Sequence, residues 1–194
     1  MAGLKPDRWI REMSRGSQKM IEPFSERIAG PKIVSYGLQP AGYDIRLGPE
    51  ILIFDWARGQ GIPLDPLALD QKLYSRKLAL PFCDIPPRSF IQGMSVEYLR
   101  IPDNVSARGV GKTTYSSVGI SVNVSGIHPG WEGKLRIHIS NTTSIPLRVY
   151  GEQGILTLEF QELDGECEVP YGRLEATRFQ GQKHFLAAPP NPGR

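Results

Sequence analysis

Apolar and polar positions alternate with two different periods along this chain. In residues 6–20, "PDRWIREMSRGSQKM", Trp9, Ile10 and Met13 recur at helical spacing, Pro6 and Asp7 open the pattern and Gly16 stops it. This predicts one short helix near the N-terminus. Beyond it the pattern changes to short β-rich runs: "AGYDIRLGPEILIFDW", "FIQGMSVEYLRIP", "GISVNVSGI", "GKLRIHIS", "IPLRVY" and "ILTLEF". Gly, Pro, Asn and Asp punctuate these runs, as expected of a β-sandwich or barrel with many irregular connections. The segment 57–80 is the least regular and reads as a long excursion, and "KHFLAAPPNPGR" as a mobile tail.

One hairpin can be read at the level of side chains. In "KLRIHIS", Leu135, Ile137 and Ile139 share one face, and Lys134, Arg136, His138 and Ser140 share the other. In "ISVNVSG", Val122 and Val124 alternate with Ser121, Asn123 and Ser125, while Pro129-Gly130 and Gly133 read as turn residues. Pairing the runs with both apolar sets inward places His138 near Asn123, on a polar face and outside the core.

Composition sets limits. At 194 residues a single domain is expected, and 40% hydrophobic with 22% charged residues fits a globular protein. The net charge of +3 is too small to argue for a nucleic-acid surface, yet suits a small polyanion. Cys83 and Cys167 form no CxxC pair, no apolar run approaches a membrane span, and the N-terminal stretch lacks a signal-type apolar core, so a cytoplasmic protein is expected.

The densest chemistry lies in "ARGVGKTTYSSVGISVNVSGIHPGWEG". Gly111, Lys112, Thr113 and Thr114 offer backbone N–H groups, an ammonium and two hydroxyls, which together form an anion cradle. It is not a P-loop: the position five residues before Gly111 is Ser106, and the residues that follow read as a strand. Two of the three histidines, His128 and His138, fall just downstream.

Four segments in order, "LQPAGYDIRLG", "GKTTYSSVG", "HPGWEGKLRIHISN" and "PYGRLEATRFQGQ", strongly resemble the dCTP deaminase family within the dUTPase-like superfamily. The resemblance runs from about residue 7 to 182 and implies one domain over 1–182, with 183–194 as a flexible tail. It implies a distorted β-barrel with a short N-terminal helix, a homotrimer with sites at subunit interfaces, and a pyrimidine deoxynucleoside triphosphate with Mg²⁺ on its phosphates. It assigns Lys112, Thr113, Thr114, Tyr171, Arg178 and Gln182 to the nucleotide, with Ser117 and Asn123 beside them. The phosphate turn of the family usually reads Gly-Arg-Ser-Ser, so Lys112 keeps the charge and loses the planar fork.

The same resemblance implies a changed reaction centre. His138 stands where the family places the glutamate that deaminates cytosine with a water. Ser117 replaces an arginine, and His128 replaces an aspartate near the sugar. Three readings follow. The first is a nucleotide-binding homologue whose standard deamination is lost or altered, serving sensing, regulation or sequestration. The second is an active deaminase or nucleotide hydrolase that uses His138 or His128. The third is a structural trimer that binds no nucleotide. The histidines are expected to shape ligand choice and not to form a metal pair, with protonation raising affinity for a polyanion as pH falls from about 8 to 6. Trp131 reads as turn packing, Asp44 and Arg46 as a structural ion pair or hydrogen bond, and Glu97 as structural.

Overall fold

The computed structural model describes residues 3–55, 61, 65–66, 71–175 and 177–185. The first amphipathic run forms α1 (Asp7–Arg15), which buries Ile10 and rests Trp9 and Met13 on the core. Gly16 ends it, its N–H donating to the Glu12 carbonyl at 2.9 Å. Around this helix lie β1 (Gly3–Leu4), β2 (Ile21–Glu22), β3 (Ile28–Gly30), β4 (Ile33–Gln39) and the long β5 (Gly42–Phe54). They are followed by β6 (Tyr74–Leu78), β7 (Phe82–Ile85), β8 (Phe90–Arg100) and β9 (Val105–Gly111). A single helical turn, α2 (Thr113–Ser116), leads to β10 (Ile120–Asn123), β11 (Glu132–Asn141), β12 (Leu147–Tyr150) and β13 (Gly154–Glu162).

Eleven of the described strands join one curled sheet whose main path runs β1-β13-β5-β8-β11-β10, and β7 and β12 form a separate pair. The mainly β, barrel-like architecture expected from the short punctuated runs is therefore the one observed. Three local expectations differ. Part of the irregular segment 57–80 is ordered: β6 pairs with β5 from Leu78 opposite Glu50 to Tyr74 opposite Phe54. Residues 56–60, 62–64 and 67–70 of that region, and 186–194 of the tail, lie outside the described residues. The residues after Lys112 form a helical turn and not a strand, because Tyr115 must drop into the core. There its hydroxyl accepts the Tyr150 N–H at 3.4 Å, and burial pushes its pKa up to about 12.

Alternation on β11 decides where the core ends. Leu135, Ile137 and Ile139 are buried with Ile45, Ile91 and Leu158, while Lys134, Arg136, His138 and Ser140 are half-buried on the opposite face. The apolar face of the strand is thereby removed from water, at about 1.5–3 kcal/mol for each fully buried aliphatic side chain. Gly133 belongs to β11 itself, with φ +147° and Gln182 packed against its bare Cα, so it serves a close approach and not a turn. Gly130, at φ +75°, does occupy the turn.

β8 departs from regular pairing where it meets β11, its register shifting between Lys134 and Arg136. Ser95 repairs the ladder there: its hydroxyl accepts the Leu135 N–H at 2.8 Å and donates to the Glu97 carbonyl at 2.6 Å. The irregularity accompanies a buried carboxylate, since Glu97 is 0% exposed and takes Arg46 Nε at 2.7 Å and the Arg46 N–H at 3.0 Å. Burial pushes the Glu97 carboxyl above its ordinary range, and the Arg46 guanidinium opposes that shift.

Arg46→Ala is expected to lower unfolding stability by about 3–5 kcal/mol, because it strands a buried carboxylate. A folded-state pKa above the unfolded one means that ionisation of Glu97 costs stability as pH rises. The variant should therefore lose more at pH 8 than at pH 5. Urea unfolding at both pH values measures this.

Candidate functional site

A cavity of about 430 Å³ opens beside the polar face of β11, within the size range of small-molecule sites. β11 contributes Lys134, Arg136 and His138, and the approach to the strand contributes Ser125, His128 and Trp131. The far wall is the C-terminal segment, through Tyr171, Arg178, Phe179 and Gln182. Among the described residues no Asp or Glu lines the cavity.

Backbone pairing holds that segment against the Pro129–Gly133 stretch. The Tyr171 N–H donates to the Pro129 carbonyl at 2.8 Å, and the Lys134 N–H to the Gln182 carbonyl at 2.6 Å. Gln180 donates to the Gly130 carbonyl at 3.2 Å and accepts the Glu132 N–H at 3.3 Å. Trp131, 8% exposed, donates its indole N–H to the Phe179 carbonyl at 3.0 Å. The packing role expected of Trp131 is present, and its ring also lines the cavity. Gly172 and Gly130 approach so closely that a Cβ on Gly172 would lie 2.8 Å from the Gly130 carbonyl oxygen. The "HPGWEG" stretch is thus a dock for Tyr171, Gly172 and residues 179–182.

The histidines sit at different points of this cavity. His138 lies opposite Asn123 of β10, the register expected from the hydrophobic pattern, and opposite Gln92 of β8 on its other side. Burial, and then the charge of Arg136, hold its imidazole below the usual histidine pKa. In the free protein His138 is therefore neutral over more of the pH 6–8 range than an ordinary histidine. Extra positive charge from His138 in that range would require proton uptake on ligand binding, which revises the simple pH dependence expected above. The ring of His128 stacks on Tyr171, with centroids 5.7 Å apart and planes 5° from parallel. Among the described residues no group of three or more His, Cys, Asp or Glu side chains gathers in a metal-binding arrangement.

The residues singled out from sequence divide into two sets. His128, His138, Tyr171, Arg178 and Gln182 converge on the cavity. Lys112, Thr113, Thr114, Ser117 and Asn123 are not among its lining. Thr113, Thr114 and Ser117 are exposed on α2 and its C-terminal end, and Asn123 is exposed on β10. Lys112 is committed elsewhere: its ammonium forms an ion pair with Asp44 and lies 3.2 Å from the Ser35 hydroxyl, the lysine side chain being only 10% exposed. Asp44 also accepts the Thr157 hydroxyl at 2.6 Å. Asp44 and Arg46 are both structural, as expected, with different partners: Lys112 for one and Glu97 for the other. Gln182 turns its amide toward the Met94 sulfur at 3.4 Å.

Sequence reasoning left Arg136, Gln92 and Phe179 out of the site. Arg136 had a visible signal, since it shares the polar face of His138. Gln92 had none, because only the β8–β11 register sets it beside His138.

The family model for dCTP deaminase-like proteins matches residues 4–163. The chain belongs to the dCTP deaminase-like family. It is 43% identical over 183 residues to a dCTP deaminase of Helicobacter hepaticus, covering 93% of this chain and 95% of that protein. It is 44% identical over 181 residues to a dCTP deaminase of Campylobacter fetus, with the same coverage. The crystal structure of 2'-deoxycytidine 5'-triphosphate deaminase from Agrobacterium tumefaciens shares the fold at TM-score 0.62 and 20% identity, over 83% of this chain. This dCTP deaminase-like chain spans about half the length of that one, 48%. No described helix is long and apolar enough to cross a membrane.

Two measurements probe this geometry. In NMR titration the His138 imidazole should show a midpoint below about 6.5, the ordinary histidine value. Arg136→Gln should raise that midpoint only part of the way, because burial is the larger cause. Lys112→Ala should cost about 3–5 kcal/mol of stability in urea, since it leaves the Asp44 carboxylate buried without its cation. An unchanged midpoint of unfolding would show that the pair carries no structural weight.

Proposed function

We propose that this protein binds a pyrimidine deoxynucleoside triphosphate in the cavity between β11 and residues 170–182, and that it has lost the carboxylate-driven deamination of cytosine. The observation that carries this reading is the cavity's composition. Lys134, Arg136 and Arg178 supply charge for a polyanion, and Tyr171, His128, Trp131 and Phe179 supply flat surfaces for a ring. Among the described residues no carboxylate joins them. The relatives named dCTP deaminase support the ligand class.

Electrostatics explain why histidine is a poor substitute here. Deamination adds water to C4 of cytosine. A base takes the water proton, a proton is delivered to the amino group, and ammonia leaves from the tetrahedral centre to give uracil. A carboxylate that takes the proton becomes neutral. An imidazole that takes it becomes a cation, and here it would do so beside Arg136, in a buried place that already disfavours its charged form.

The triphosphate is proposed to bring Mg²⁺ on its own oxygens, in keeping with the metal's preference for phosphate and water ligands. Thr113, Thr114, Ser117 and Asn123 do not line the cavity of their own chain. We assign them, with the α2 turn, to the phosphates of a ligand held by a neighbouring subunit in a homotrimer. Lys112 supports that turn by pairing with Asp44.

A second reading has an observation in its favour. Because His138 is held neutral, it keeps a nitrogen lone pair available near pH 7 and qualifies as a base, either for deamination or for hydrolysis of a phosphoanhydride. His128 is the other candidate base.

Incubation with dCTP and Mg²⁺ followed by chromatography separates the two readings. No dUTP, dUMP or dCMP above a blank is expected. Turnover of about 1 s⁻¹ or faster, abolished in His138→Ala, would establish the second reading. By calorimetry, Arg178→Ala should weaken triphosphate binding about tenfold or more, as expected for a charge-assisted hydrogen bond of about 1.5–3 kcal/mol. Light scattering should report three copies, and a strictly monomeric mass would sink the shared-site arrangement.

A further inference from the structure

The C-terminal segment meets the "HPGWEG" stretch at two places. At residues 179–182 it is held by Trp131, by Gln180 and by the backbone bond from Lys134 to Gln182. The other place is the helical turn Tyr171–Arg173, which follows Pro170. There the Tyr171 N–H reaches the Pro129 carbonyl, Gly172 lies against Gly130, and the Tyr171 ring stacks on His128. Arg173 adds an exposed ion pair with Asp103 at 2.8 Å.

The backbone contacts fix where the tyrosine side chain begins, and its staggered rotamer is left for side-chain neighbours to choose. Tyr171 is half-buried at the edge of the core and lines the cavity. His128 supplies a flat neighbour, with planes 5° from parallel and centroids 5.7 Å apart, the offset arrangement that aromatic pairs favour. His128 can act as the fixed partner because the chain is anchored beside it. Ile127 exchanges both backbone bonds with Ala107, at 3.2 and 3.0 Å, and the His128 carbonyl accepts the Trp131 N–H at 3.2 Å. The imidazole itself is exposed and lies outside the core, so core packing does not account for its place. The family resemblance puts an aspartate at position 128, and a carboxylate offers no aromatic face for a tyrosine to lie on.

We propose that His128 is a positioning residue for nucleotide binding: its ring holds Tyr171 in the rotamer that faces the ligand, and it acts on affinity through that tyrosine. This role rests on the reading that a deoxynucleoside triphosphate occupies the cavity. The stack forms in the free protein, so the near end of the C-terminal segment presents Tyr171 to the cavity before a ligand arrives. Binding then loses less side-chain freedom at that residue. Any flat aromatic side chain at position 128 can do the same, whereas an aliphatic one of similar size cannot.

The test joins NMR of the free full chain to calorimetry with the α,β-imido analogues of dUTP and dCTP in Mg²⁺, with chromatography confirming that each stays intact. In His128→Ala and His128→Leu the Tyr171 ring protons should lose the shift that a stacked ring imposes. The Tyr171 amide should exchange faster, while the Lys134 amide, bonded at the far end, should not change. Both variants should bind the analogues about two- to tenfold more weakly, the factor by which an aromatic pair biases a conformational equilibrium. His128→Phe should restore the ring shifts and the affinity. In a Tyr171→Leu background, His128→Ala should weaken binding no further. Undiminished affinity in His128→Ala would overturn the proposal. So would a His128→Phe variant as weak as His128→Ala, or a loss that persists without Tyr171, since either would make His128 a direct ligand contact. Binding of neither analogue by the unmodified chain would remove the triphosphate reading and this role with it. If His128→Ala fails to give a cooperative melt, the comparison of His128→Leu with His128→Phe still decides.

Discussion

The two-residue period of β11 is the constraint on which the rest of this protein depends. One strand must close the core with Leu135, Ile137 and Ile139 and at the same time present Lys134, Arg136 and His138 to a cavity. A slip of one residue would put three polar side chains into the core and three aliphatic ones into the cavity. The neighbours fix the register from both sides. β10 sets Asn123 against His138, and β8 sets Gln92 there, with Ser95 repairing the ladder where β8 bulges. The cavity face is therefore held in register by both neighbours.

Buried charge performs two separate tasks. The Arg46–Glu97 and Lys112–Asp44 pairs lie within the fold, the first tying β5 to β8 and the second tying β5 to the end of β9. Thr157 adds β13 to the second pair. Removing one member of such a pair costs more than the pair contributes, so these residues act as locks on local geometry. The cations that face the cavity are a different population. Lys134, Arg136 and Arg178 stand on two walls of one space. Lys112 belongs to the first population by geometry, even though its sequence context points to the second.

This division bears on chemistry. A dCTP deaminase-like fold keeps its docked C-terminal segment, with Tyr171, Arg178 and Gln182 on one side of the cavity and β11 on the other. The face opposite carries Lys134, Arg136 and His138. Burial and then the charge of Arg136 hold His138 below the usual histidine pKa, and a step that would charge it works against the same field. The core face of β11 is independent of what its other face carries, so the fold does not dictate the chemistry of the cavity.

The sequence by itself determined the class of fold, the N-terminal helix with its stop at Gly16, and the faces of the "KLRIHIS" and "ISVNVSG" runs down to the pairing of His138 with Asn123. Each of these follows from local periodicity, in which the solvent preference of a side chain repeats with the backbone. The four ordered segments also carried the family and the cluster of His128, His138, Tyr171, Arg178 and Gln182. Only the tertiary structure decided which charges meet. That Asp44 takes Lys112, that Arg46 takes Glu97, that Gln92 flanks His138 and that Arg136 meets Phe179 all depend on residues 43 to 68 positions apart in the chain. Such partners are set by strand order, register and a bulge in β8. The alternation of apolar and polar residues within one strand contains no information about which strand lies beside it.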